Sequence, residues 1–248
     1  MTSQTITFGL HSVDILLQKN HHHVIRICVQ QGRHDKKIES LLKLAALHHI
    51  PVETLPKQTL DQMTNAANHQ GIIAVCEKRK QETEYDLDII LQNINTPPFI
   101  LVLDNIQDPH NLGACLRSAN AAGVHAVIAP KDNAVGLTPV VSKVASGAAE
   151  ATPFIQVTNL SRTLEKLKEM GIWIYGAAGE AEQNLFQTNL SGPIAIVLGA
   201  EGSGLRRLTR EHCDVLVNIP MHGIVSSLNV SVATGIFLFE VVRQRNQK

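Results

Sequence analysis

The sequence predicts an α/β chain in two pieces: a small front α/β/α unit, then an open parallel sheet of the Rossmann kind. Three observations carry that reading. Between residues 9 and 76 the apolar positions switch between helical and strand periods. Glu77-Lys-Arg-Lys-Gln-Glu-Thr-Glu84 is almost wholly polar, the composition of an exposed linker. Phe99-Ile-Leu-Val-Leu103 is continuously apolar, as expected of a parallel strand covered on both faces.

In the front unit Val13, Leu16 and Leu17 stand at helical spacing, and residues 24–30 read as a strand. Ile38, Leu41, Leu42, Ala45 and Ala46 share one helical face. Residues 50–55 form a short strand broken by Pro51, and Leu60, Met63, Ala66 and Ala67 suggest a third helix. Gly71-Ile-Ile-Ala-Val-Cys76 closes the unit as a buried strand. Three consecutive side chains cannot all face one metal, so His21-His-His23 reads as a solvated turn with some capacity for phosphate contact.

A short helix over residues 87–91 and the turn Thr96-Pro-Pro98 follow. The expected boundaries are a front domain over 1–78, a linker over 79–97 and a second domain over 98–248. In the second domain the strand at 99–103 runs into Asp104-Asn-Ile-Gln-Asp-Pro-His-Asn111. A helix then passes through Leu112, Leu116, Ala119 and Ala122 to Gly123, and residues 126–129 are the next strand. That is a βαβ unit. Residues 162–170 are amphipathic, residues 172–175, 194–198 and 215–219 are strands, and residues 229–245 are the last helix.

Composition narrows the function classes. With 44% hydrophobic and 18% charged residues the chain is of the globular kind. The four cysteines form no C-x-x-C pair, so buried thiols in a reducing compartment are expected, and no metal site. No leader with a basic start and an apolar core is visible, and no apolar run nears the roughly 20 residues a bilayer requires. A cytoplasmic location is the expectation. Net charge is zero overall, yet residues 1–80 carry ten Lys+Arg against six Asp+Glu, and the remainder twelve against sixteen. A basic docking module joined to a catalytic one fits that split, as does ordinary fluctuation of surface charge.

Three blocks hold the candidate chemistry. One is Asp108-Pro-His-Asn-Leu-Gly-Ala-Cys-Leu-Arg117, in which Asn111 is expected to cap a helix that carries Arg117. Another is Leu198-Gly-Ala-Glu-Gly-Ser-Gly204, glycines around one carboxylate at a strand end, where bare backbone can approach a ligand. The pattern is G-x-x-G-x-G, neither the dinucleotide G-x-G-x-x-G nor a P-loop, and it lies late in the domain. The third block comprises Ile219-Pro-Met221 and Ser226-Ser-Leu-Asn-Val-Ser-Val-Ala-Thr-Gly235. Bland readings stand beside each. Asn111, Asn229, Ser226 and Ser227 could be helix caps, Glu201 a turn carboxylate, and Arg117 a partner of Asp108 or a phosphate contact. A Ser227, His222 and Asp214 triad lacks a strand elbow at the serine.

Together and in this order the blocks resemble the signature motifs of the SpoU branch of the SPOUT RNA 2′-O-ribose methyltransferases, over essentially the whole chain. The nearest subfamily is that of the bacterial 23S rRNA guanosine-2′-O-methyltransferases. The resemblance implies a SPOUT domain with a deep trefoil knot, threaded by the chain after Val215, against the general rule that chains avoid knots. It also implies an obligate homodimer, S-adenosylmethionine held bent in the knot, and a ribosomal-protein-like RNA-binding domain in front. Asn111, Arg117, Glu201, Ser227 and Asn229 stand where the family has catalytic or site-shaping residues. Gly199, Ile219 and Leu228 stand where backbone groups hold the donor, and Gly179, Leu198, Met221 and Ser227 complete the implied donor-binding set.

The implied substrate is 23S rRNA, at a guanosine of the peptidyl-transferase P loop. A tRNA 2′-O-methyltransferase on the same scaffold and a non-catalytic RNA-binding protein are the rival expectations. The family's usual nominee for the base is Arg117. A guanidinium normally stays protonated, so orientation of the target phosphate and stabilisation of alkoxide charge are the more physical roles.

Overall fold

The computed structural model describes residues 4–33, 35–77 and 82–247. Residues 78–81, the expected end of the front domain and start of the linker, lie outside the described residues. The chain divides into two compact units, Met1–Lys80 with Pro139–Ala151, and Gln81–Thr138 with Thr152–Lys248.

The first unit opens with β1 (Gln4–Phe8), α1 (Leu10–Lys19), β2 (Val24–Gln30), α2 (Lys36–Leu47), β3 (Val52–Leu55), α3 (Lys57–Met63) and β4 (Ile72–Glu77). Its sheet has the order β1-β4-β2-β3, with β4 antiparallel to both neighbours and β2 parallel to β3. The core is Val13, Leu16 and Leu17 of α1 and Ile38, Leu41 and Ala45 of α2 against Ile27 and Ala74 of the sheet. Asp35 caps α2 by accepting a hydrogen bond from Ile38 N at 3.1 Å. The third helix is shorter than its apolar spacing suggests. It stops at Met63 because Asn65 and Ala66 take left-handed φ angles of 51° and 60°. His21–His23 is a 3-10 turn with no buried residue, and the His21 ring stacks on His48 at 3.7 Å.

The second unit starts at α4 (Glu84–Gln92), whose capping box joins Thr83 and Asp86. Then come β5 (Phe99–Asp104), α5 (Pro109–Ala122) and β6 (Ala126–Pro130). The short helices α6 (Pro139–Ala145) and α7 (Ala148–Ala151), unread in the sequence, belong to the first unit. The second resumes with β7 (Phe154–Val157), α8 (Leu160–Glu169), β8 (Trp173–Ala177), β9 (Gln183–Asn184), β10 (Ile194–Gly199), α9 (Arg207–Glu211), β11 (Val215–Asn218) and α10 (Val230–Arg245).

All strand pairs of this second sheet are parallel, in the order β7-β6-β5-β10-β8-β11-β9. One face, through Ile100, Val102, Ile128, Ile174 and Val197, packs against Leu87 and Leu91 of α4 and Leu160, Leu164 and Leu167 of α8. Alternate residues such as Leu101 and Ile196 are equally buried and point the other way, as the period of two requires. α10 packs against both β10 and α5.

The strand order departs from the Rossmann arrangement. The chain steps outward from β5 to β6 and β7, but β10 later inserts between β5 and β8, and β11 lies beyond β8. The carboxyl ends of β10, β8 and β11 therefore stand side by side, and the candidate site forms there. Among the described residues no helix is long and apolar enough to cross a membrane.

Candidate active site

β10 ends at Gly199, where a Cβ would overlap the backbone of Gly204 and Leu205. Only glycine fits there. The chain then doubles back: Gly204 N donates to Ala200 O at 2.9 Å, and Gly202 and Gly204 adopt φ of 79° and 64°. This turn presents Glu201 at its tip. Its base is fixed by Asp104, fully buried at the end of β5, which accepts from Arg206 N at 3.0 Å and Arg206 Nε at 2.6 Å. A buried carboxylate held by one guanidinium fork and a backbone N–H pins the turn to the sheet.

Glu201 gathers the other two blocks. Its Oε1 accepts hydrogen bonds from Asn111 Nδ2 at 3.1 Å, from Val230 N at 3.2 Å and from Asn229 Nδ2. Asn229 Nδ2 also donates to Asn111 Oδ1 at 3.0 Å. Residues far apart in sequence thus share one polar cluster on the turn, the start of α5 and the start of α10. Asn229 is a cap as well, since its Oδ1 accepts from Ser231 N at 2.9 Å.

Asn111 is not a cap, contrary to the reading from sequence. Pro109 occupies the first helical position, which its fixed φ suits, and Asp108 Oδ1 accepts from His110 N at 2.9 Å. Asn111 lies within the first turn, its side chain left free to reach Glu201. Ser226 and Ser227 do not cap α10 either; both line the cavity described next. Asp214 accepts from Ile174 N at 2.8 Å and pairs with Lys168 at 2.7 Å. Among the described residues no hydrogen bond joins it to His222 or Ser227, so no triad forms.

Beside this cluster lies a cavity of about 420 Å³, a size typical of small-molecule and cofactor sites. Gly179, Leu198, Gly199, Ile219, Met221, Ser227 and Leu228 all line it, as does Glu201. Val230, Ala233 and Phe237 of α10 close one wall. At Gly179 a Cβ would face only Ser226 O, at 4.0 Å. Backbone without side chains next to apolar walls suits a flat heterocycle with polar edges. Among the lining residues that the sequence had not singled out, two are charged, Glu180 and Arg210. Glu180 directly follows Gly179 at a strand end, a usable signal; Arg210 had none.

Arg117 is apart. It lies on α5, exposed and outside the cavity lining. Six residues of helix turn it about 600° from Asn111, onto another side. Among the described residues it makes neither an ion pair nor a hydrogen bond, so the pairing with Asp108 does not form. Behind it, Cys115 Sγ lies 3.3 Å from Thr234 Oγ1 and joins α5 to α10. Burial pushes that thiol up to about 11, so it acts as a neutral packing group. No metal-binding cluster occurs among the described residues.

Residues 98–239 match the SpoU rRNA Methylase family, and residues 6–82 match the RNA 2′-O ribose methyltransferase substrate-binding family. The chain is 54% identical over 245 residues to the 23S rRNA (guanosine-2′-O-)-methyltransferase RlmB of Shewanella oneidensis, covering 99% of each. It is 53% identical to the RlmB of Pseudomonas putida, over 97% of each. Among solved structures it resembles an RNA 2′-O ribose methyltransferase with a TM-score of 0.80 at 28% identity, over 99% of this chain and 90% of that one. The SpoU methyltransferase AviRb of Streptomyces viridochromogenes, crystallised with AdoMet, has the same fold, with a TM-score of 0.81 at 22% identity over 99% and 92%. Two family matches that together take in both units, with half of all residues identical to such relatives end to end, settle the membership: this chain belongs to the SpoU rRNA methylase family.

Proposed function

We propose that the chain transfers a methyl group from S-adenosylmethionine to the ribose 2′-hydroxyl of a guanosine in 23S rRNA, and in particular to one in the peptidyl-transferase P loop. The observation that carries this is the union of Asn111, Glu201 and Asn229 in one hydrogen-bonded cluster at the mouth of a backbone-lined cavity. When bound, the donor supplies an already activated sulfonium methyl. The protein's task is then alignment and handling of one proton, and alignment alone contributes on the order of 7–11 kcal/mol.

In this reading Gly179, Leu198, Gly199, Ile219, Met221, Ser227 and Leu228 hold the donor. Glu201 locks the turn against α5 and α10, and Asn111 and Asn229 position the ribose. Arg117 orients the target phosphate and stabilises negative charge developing on the 2′-oxygen. Isothermal titration with S-adenosylmethionine tests the donor site directly. A micromolar or tighter Kd that Ser227→Trp abolishes supports it, and absence of heat at millimolar donor refutes it.

The exposed position of Arg117 outside its own chain's cavity favours a homodimer in which the partner completes the site. α10 offers a surface for it: Val232 and Phe239, seven residues apart on one stripe, are 51% and 49% exposed. Val232→Glu with Phe239→Glu is expected to convert a dimer to a monomer in sedimentation velocity and to remove activity. An unchanged sedimentation coefficient contradicts this. The trefoil knot belongs to the same reading, supported by β8 standing between β10 and β11.

The front domain, residues 1–78, is read as the rRNA-docking module, joined by the linker 79–97 to the catalytic domain 98–248. Lys36, Lys37 and Lys43 of α2 are exposed there. Converting all three to glutamine is expected to weaken rRNA binding and lower its salt dependence, by roughly 0.7–0.9 in log–log slope per lost phosphate contact. Donor affinity is expected to stay unchanged. Filter binding across a salt series reads this out, and an unaltered slope counts against the assignment to α2.

A further inference from the structure

Among the described residues three charged side chains line the cavity: Glu180, Glu201 and Arg210. Glu201 is engaged by Asn111, Asn229 and Val230. The other two face each other, Arg210 Nη1 donating to Glu180 Oε1. Among the described residues Arg210 is thus the one cation on the wall of the cavity. That pairing holds the Glu180 carboxyl below its ordinary range.

Both groups stand on fixed supports. Arg210 is on α9, whose first turn is closed by Arg210 N donating to Arg206 O at 2.9 Å, and Arg206 is the residue gripped by buried Asp104. Glu180 is in the turn after β8, where Ala178 N donates to Val217 O at 3.0 Å and Ala181 N to Ala178 O at 3.1 Å. The charged ends are nevertheless open to solvent, with side-chain exposures of 41% for Arg210 and 62% for Glu180. A half-exposed ion pair adds little to stability and opens easily. What it offers is a cation and an anion side by side at the edge of a cavity otherwise walled by backbone and apolar groups.

We propose that Arg210 and Glu180 form a clamp for the amino-acid end of the methyl donor. The inference rests on the donor-site reading above and extends it to the one zwitterionic part of that molecule. The guanidinium of Arg210 pairs with the donor's α-carboxylate through its two-pronged geometry. The Glu180 carboxylate takes the α-ammonium. The protein's ion pair is exchanged for two pairs of the same kind, so no charge is left uncompensated. The adenosine end then lies against the bare backbone of Gly179 and Gly199.

Two ligands separate the clamp from the rest of the site. S-adenosylhomocysteine has the amino-acid end, and 5′-methylthioadenosine keeps the adenosine and thioether but lacks it. Isothermal titration of the full-length protein is run with each. Arg210→Ala is expected to weaken S-adenosylhomocysteine about tenfold or more, while 5′-methylthioadenosine changes less than about twofold and thereby shows an intact fold. Arg210→Lys is expected to restore part of the loss, because it returns the charge without the fork. Glu180→Gln is expected to weaken S-adenosylhomocysteine alone. Unchanged S-adenosylhomocysteine affinity in Arg210→Ala overturns the clamp, as does an equal loss for both ligands. If the unmodified protein binds neither ligand, the donor-site reading fails first and takes the clamp with it.

Discussion

Arg117→Ala is expected to lower methyl transfer by about a hundredfold or more while leaving the Kd for S-adenosylmethionine within about twofold of the unmodified protein. The two readouts separate because of geometry. Arg117 is on α5 but outside the cavity proposed for the donor, so its loss is expected to leave that cavity's lining intact. In the proposed role, what disappears is a positive charge brought to the attacking oxygen, whose negative charge grows only as the reaction proceeds. Stabilising such a charge in a preorganised site is where a single donor has its largest effect. Arg117→Lys keeps the charge without the fork and is expected to fall between the two. Near-normal methylation by Arg117→Ala rules out both the orienting and the charge-stabilising role.

A mixed-dimer measurement follows from the same placement. If Arg117 serves the partner's cavity, co-expressing Arg117→Ala chains with chains defective in donor binding regenerates one complete site per heterodimer. Activity well above either parent is then expected. If Arg117 acts on its own chain's donor, both sites of the heterodimer are defective and the mixture stays inactive.

Gly199→Ala is expected to weaken donor binding by about 10–100-fold with the chain still folded. A Cβ there overlaps the backbone of Gly204 and Leu205, so the returning strand of the turn must move. Glu201 moves with it, and the hydrogen bonds to Asn111, Asn229 and Val230 loosen together. The sheet beneath is unaffected, because β10 remains paired with β5 and β8 along its length. Circular dichroism with titration of S-adenosylmethionine checks both halves. Donor affinity equal to that of the unmodified protein removes the turn from the site.

Much of this was legible in the residues. β5 and β10 announce themselves because both of their faces are buried, so residues 99–103 and 194–198 are apolar without a break. β1 does not. Its two apolar residues alternate with polar ones over five positions at a sheet edge, too short a pattern to stand out. The strand order was beyond periodicity altogether, since the insertion of β10 between β5 and β8 depends on contacts distant in sequence. Hence the open Rossmann arrangement suggested by propensity, and its replacement by an order known only through motif resemblance or coordinates.

The site divides in the same way. The seven positions that the motif resemblance proposes for the donor all line one cavity, and only the glycines and the strand end at Leu198 were marked by the residues themselves. Asn111 was misread as a cap because asparagine is a common cap, yet the adjoining Asp108-Pro109 supplies both the capping oxygen and the first helical residue. Arg210 carried no signal at all: one of two arginines on a five-residue helix is commonplace, and only the fold turns it toward Glu180.

Methyl transfer to a guanosine ribose of 23S rRNA is tested most directly by mapping the product. Full-length protein is incubated with tritiated S-adenosylmethionine and, separately, with 23S rRNA and tRNA from cells whose own gene for this chain has been deleted. Nuclease digestion and mass spectrometry then place the label. One 2′-O-methylguanosine in the peptidyl-transferase P loop of 23S rRNA, absent with Arg117→Ala, is the expected result. No transferred methyl, or a methyl found in tRNA alone, contradicts it.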